Sequence, residues 1–212
     1  MRRERRHIEK LGTARRILAA AEQHFAAQGM AGARTDEIAA AAHANKAMLY
    51  YYFGDKRRLH RAVLENMFRQ LRKGVIAAPR KSGSPSEQVK ELVSAYFDFL
   101  ASHPNYPRLV HREAMEQTKN FDWIVRGYLR PFHERVVEAI EEGVKAGEIR
   151  HVDAHDTAFT LLGMTTSYFA AAPILSEIAR RDLLSPAAVA KRKAALLDFI
   201  QHGLRKEKAR SR

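Results

Sequence analysis

The chain has 212 residues, 46% of them hydrophobic, and carries 37 Lys+Arg against 24 Asp+Glu for a formal charge of +13, with no cysteine. That length provides one large domain or two small ones with enough apolar material for a core. The lack of cysteine excludes a disulfide scaffold, a thiolate nucleophile and any Cys-ligated zinc or iron–sulfur centre.

The charge is uneven. Residues 1–74 hold 16 Lys+Arg and 7 Asp+Glu, residues 75–149 hold 10 and 11, and residues 150–212 hold 11 and 6. A basic head on a neutral body points to one anion-binding module rather than a generally basic surface. The longest apolar run, Phe169–Leu175, is too short to span a bilayer, and the N-terminus MRRERRHIEK has no apolar signal core. No membrane partner is expected, and the expected location is cytoplasmic.

Apolar residues recur at spacings of three and four along almost the whole chain, so the expected fold is all-α with about nine helices. The first runs from about Lys10 to Gln28, with Ile17, Leu18, Ala21 and Phe25 on one face and Gly29 as its stop. A short helix opens with Thr35 as N-cap and covers Asp36–Ala42. A second opens at Asn45 and covers Lys46–Tyr52. Gly54-Asp55 breaks the pattern before a helix from Lys56 to about Ile76. Pro79–Pro85 reads as a linker, and Ser84-Pro85-Ser86-Glu87 as a capping box with proline at the first helical position.

Further helices follow to Ser102, over Arg108–Thr118, and from Asp122 to Ala146 with a bend at Pro131. Asp153 caps the next, which Pro173 kinks or ends. Ser185-Pro186 starts the last helix, which runs to about Gly203 before a basic tail. The expected division is a three-helix basic head over 1–55, a connecting helix over 56–78, a helical body over 79–205 and a tail over 206–212.

Two short helices joined by a tight turn, residues 35–53, form a helix-turn-helix pattern, whose second helix enters the DNA major groove. Lys46 and Tyr50 share a face of that helix, with Leu49 and Phe53 supplying a buried stripe. A cation and hydroxyls on one exposed face suit phosphate oxygens and base edges.

Residues 14–64 resemble the N-terminal domain of TetR/AcrR-type transcriptional regulators. The resemblance rests on Ile17, Ala20-Ala21, Phe25, Gly29, Thr35, Ile38-Ala39, Ala42, the run Leu49-Tyr50-Tyr51-Tyr52-Phe53, Asp55-Lys56 and Leu59. Two positions depart from the family pattern: His43 stands at the usual turn glycine, and Asn45 at a common serine. Histidine enters the left-handed backbone region more readily than most residues, and asparagine still caps.

The resemblance implies a homodimeric repressor that binds an inverted-repeat operator in double-stranded DNA and is released by a small-molecule effector. It implies that Thr35, Tyr50, Tyr51 and Lys56 hold phosphates, with Asn45 capping and Lys46 and Ala47 near base edges. It also places an effector cavity among the middle helices, for which His111, Arg112, Glu116, Trp123 and Tyr128 are candidates. The last two helices would form the dimer interface. Arg2, Arg3, Arg5 and Arg6 form an arm that either enters a minor groove or stays solvated.

No HExxH, GxSxG or GxxxxGK[ST] motif is present, so no catalytic residue and no cofactor is expected. His151 and His155 lie four apart, but Asp153 starts a helix between them and no third ligand is evident, so no metal is expected. The rival reading is a helical protein that binds nucleic acid without sequence preference.

Overall fold

In the computed structural model, residues 2–78 and 83–206 are described, with side chains from residue 12 onward. The arginine arm's side chains, the linker core 79–82 and the tail 207–212 lie outside the described residues. The described chain is helical with no β-strand, and only an isolated bridge pairs Ile149 with Arg205. Its helices are α1 (Arg2–Gly32), α2 (Thr35–Ala41), α3 (Lys46–Phe53), α4 (Lys56–Leu71), α5 (Pro85–Ser102), α6 (Tyr106–Glu116), α7 (Phe121–Ile124), α8 (Arg130–Lys145), α9 (Ala154–Ala170), α10 (Ala172–Ala179) and α11 (Pro186–Leu204). Two π-helical segments, Arg72–Ile76 and Val125–Leu129, follow α4 and α7.

Among the described residues eleven α-helices stand where nine are expected, because two long ones are divided, one at the π segment Val125–Leu129 and one beside Pro173. Pro131 lies inside α8 and does not end it. Lacking an N–H, it leaves the Gly127 carbonyl without its usual helical donor, and the backbone widens into the π segment just upstream. Arg72 Nη2 donates to that carbonyl at 3.3 Å, and its guanidinium lies 4.6 Å from the centre of the Tyr128 ring. Pro173 acts more sharply: α9 stops at Ala170 and α10 leaves at 69°. No single described helix is long and apolar enough to cross a membrane.

The chain forms two compact units, residues 1–69 with 108–121, and residues 70–107 with 122–212. This division differs from the expected boundaries at 55 and 78. Composition marks the linker, but residues 108–121 pack with the head. The reason is a buried polar junction: His60 of α4 faces Glu113 of α6 at 3.4 Å, both nearly inaccessible. The Phe25 ring meets His60 edge-on, and Thr118 donates to the Glu113 carboxylate. Burial outweighs the nearby Glu113 and Glu116 charges and holds the His60 pKa below its ordinary value.

In the first unit, Ile17, Ala21, Phe25, Ile38, Leu49 and Leu59 form the apolar centre. In the second, α5 packs against α8, α9 and α11 around Phe97, Leu100, Tyr106, Phe132 and Ile140. The expected capping box at α5 is replaced. Ser84 Oγ donates to Glu148, whose carboxylate also accepts the Ser86 N–H at 3.0 Å, so a residue from the turn after α8 caps α5.

Candidate nucleic-acid interface

The turn between α2 and α3 begins with Ala42 and His43. The His43 N–H bonds to Ala40 O and the Ala44 N–H to Ala39 O, a hydrogen-bonded helix end that requires the left-handed φ of 50° at His43. Arg16 of α1 donates to Ala42 O at 3.0 Å, placing a cation where the α2 carbonyls end. Asn45 Oδ1 then accepts the Met48 N–H at 2.8 Å, as its capping role requires.

On α3, Leu49 is fully buried, while Asn45, Lys46, Ala47, Tyr50 and Tyr51 are exposed. Phe53 is only half-buried, so the inward stripe rests on Leu49 more than the spacing suggests. Tyr51 leans edge-on against Tyr52, with ring centres 5.2 Å apart.

Thr35 departs from its expected role. Arg34 is the N-cap of α2, and Thr35 is the first helical residue, with its Oγ1 3.3 Å from the Tyr50 hydroxyl. A cap must stand outside the helix, whereas Thr35 is drawn in and buried. Lys56 begins α4 and donates to Ala31 O at 3.0 Å, at the end of α1. Asp55 caps α4 by accepting the Arg58 N–H at 2.8 Å. That bond is the main reason its carboxyl is held below the usual range, opposed by partial burial. Asp36 is similarly lowered, first by a backbone N–H, with smaller help from Arg34 and Lys46.

The five expected effector residues are divided between the two units. His111, Arg112 and Glu116 belong to the first unit, and Trp123 and Tyr128 to the second. His111 and Glu116 are exposed. Arg112 donates to Ala27 O at 3.0 Å and lies over Gly29, where an added Cβ would meet its Nη1 at 2.9 Å. Gly29 itself takes φ 72°, the left-handed conformation that ends the regular part of α1. Trp123 and Tyr128 stack edge-on at 5.1 Å. Sequence reasoning missed Arg16 and Asp55, whose side chains fix the ends of α2 and α4. Asp55 carried a readable signal, as an acidic residue directly before a helix.

A short helix held by a cap and a buried leucine, displaying a lysine and two tyrosines after a tight turn, defines a helix-turn-helix DNA-binding protein. Residues 17–63 match the family model for bacterial regulatory proteins of the tetR family, and residues 85–200 match the tetracyclin repressor-like C-terminal domain. The chain is 33% identical over 153 residues to the HTH-type transcriptional repressor SCO4008 of Streptomyces coelicolor, covering 72% of this chain and 76% of that protein. It is 31% identical over 101 residues to the HTH-type transcriptional repressor NicS of Pseudomonas putida, covering 48% of each. The solved structure of the ketosteroid transcriptional regulator KstR2 of Mycobacterium tuberculosis shares the fold, with a TM-score of 0.76 at 19% identity, over 91% of this chain and 96% of that one. The chain belongs to the TetR family and is a DNA-binding transcriptional regulator.

Proposed function

We propose that this regulator is a homodimeric repressor that binds an inverted-repeat operator and is released by a small-molecule effector. The observation that carries this reading is the exposed face of α3, with Lys46, Ala47 and Tyr50 displayed while Leu49 anchors the helix. On this reading Lys46 and Ala47 meet base edges, and Tyr50 and Tyr51 approach phosphates. Lys56 uses one donor on Ala31 O and has others for a phosphate. Thr35 acts through the Tyr50 hydroxyl as a positioning residue. The repressing sign is taken from SCO4008 and NicS, both named as repressors. A cytoplasmic location follows from DNA as the partner.

The second copy would cover the outward side of α9, α10 and α11. Ile174, Ile178 and Phe199 are exposed there, and nothing stands within 4 Å of a Cβ built on Gly163. An apolar groove of about 760 Å³ lined by Met164, Tyr168, Leu175, Ile178, Ala188 and Ala195 lies on the same side. An isologous interface suits such a face. For the effector, a cavity of about 200 Å³ lies among α5, α8 and the first π segment, lined by Val75, Leu92, Ala95, Asp98, Arg135 and Ala139. A ligand that favours a wider form of it would shift the conformational balance by its differential affinity.

Selection from random DNA followed by footprinting tests the reading. A protected palindrome is expected. Lys46→Ala should lower the ratio of operator to random-DNA affinity by about tenfold or more, since a base contact discriminates by about 1–3 kcal/mol. Lys56→Ala should weaken both alike and reduce the salt slope by about 1. Equal losses for both variants, with no protected site, would support the rival that binds nucleic acid without sequence preference.

A further inference from the structure

Two histidines of the second unit meet at the surface. His133 of α8 and His155 of α9 bring Nε2 and Nδ1 to 3.2 Å, with ring centres 5.4 Å apart and planes inclined by 32°. Sequence spacing pairs His155 with His151, but the fold sets it against α8 instead. Phe159, one turn further along α9, stacks on the His133 ring at 4.3 Å and restrains its plane. The other nitrogen of His133, Nδ1, is buried without a hydrogen-bond partner, so Nε2 is the one available to the pair. His155 is exposed.

We propose that His133 Nε2 and His155 Nδ1 form a two-nitrogen chelate for a divalent transition ion of the zinc, nickel or copper type, with water or a soluble anion completing the coordination. Two imidazole nitrogens bound to one ion at about 2.0–2.1 Å stand about 2.9 Å apart at a right angle and about 3.4 Å apart at the tetrahedral angle. The observed 3.2 Å lies between these limits. Imidazole suits these ions and not magnesium or calcium, which take oxygen ligands. Ligation also needs neutral rings. Among the described residues no group of three or more His, Asp or Glu side chains converges. The chain therefore supplies two ligands and leaves exchangeable positions open. The pair forms within one chain and does not depend on a second copy.

Calorimetric titration of the full chain with zinc chloride and nickel chloride tests the site. One ion per chain is expected for the parent and for His151→Ala. His133→Gln and His155→Gln should each weaken binding by at least about tenfold, the lower end of the loss seen when even an outer-shell partner of a metal site is removed. His155 is exposed, so its variant separates metal binding from folding, and a melting curve checks His133→Gln. Absence of binding in the parent, or equal isotherms for the parent and His155→Gln, would overturn the proposal and leave an ordinary histidine–histidine hydrogen bond.

Discussion

In the first unit, three cationic side chains close on backbone carbonyls: Arg16 on Ala42, Lys56 on Ala31 and Arg112 on Ala27. The second uses the same device, with Arg72 on Gly127, Arg135 on Ile76 and Ala78 and Arg150 on Gly203, and adds dense aromatic packing, with Tyr96 against Phe132 at 4.9 Å, Phe97 against Phe169 at 5.0 Å and Phe99 against Tyr106 at 5.1 Å. The added aromatic packing follows from helix length. Helices of 7 and 8 residues, α2 and α3, bury too little apolar surface to fix their own directions. Arg16 at the end of α2 and the Asn45 cap of α3 add polar restraint at their ends. The 18-residue α5 places eight buried side chains along its faces in addition to its Glu148 cap.

The comparison can be broken at three points. Leu49 is the only fully buried side chain of α3, so Leu49→Ala should destabilise the first unit by about 3 kcal/mol and abolish DNA binding. Chemical denaturation followed by tyrosine and tryptophan signals should show the second unit, which holds Trp123, melting as in the parent. A common loss in both transitions would mean that the units do not melt separately.

Asn45→Ala removes the cap of α3 and should cost about 1 kcal/mol, read as a lowered denaturation midpoint of the first unit and faster amide exchange at Met48. An unchanged midpoint would show that Leu49 alone holds the helix.

The smallest effect concerns acid. The Asp55 carboxyl is depressed in the folded chain, so its contribution is present above the unfolded carboxylate pKa and is lost as pH falls through the lower folded value. Titration below the usual carboxylate range should fray the start of α4. Asp55→Asn should flatten that part of the profile; the same acid slope in both proteins would remove Asp55 from the account.

Much of this architecture could be read from residue pattern. Gly29, His43, Asn45, Gly147 and Asp153 all act at helix ends as their chemistry suggests, because a cap or a left-handed turn is decided within four or five residues. The helix-turn-helix was readable for the same reason. What escaped was set by distant partners. Thr35 is a good cap by type, yet the Tyr50 hydroxyl and burial draw it inside the helix. Ser84 and Glu87 fit a capping box, yet Glu148 takes the α5 N-terminus. The effector candidates are divided between two units because Glu113 meets His60, which takes α6 residues into the first. Pairings of that range leave no local periodicity to detect.

The Gly127 carbonyl, denied its usual donor by Pro131, also links a local helix to a distant part of the chain. Its substitute donor, Arg72, lies 55 positions earlier in the chain. Ordinary helix growth is local and fast, but this bond waits for closure of a long loop. The contact of Arg72 with Val125–Leu129 therefore ties a local helix to long-range assembly, and one proline makes that helix a reporter on it.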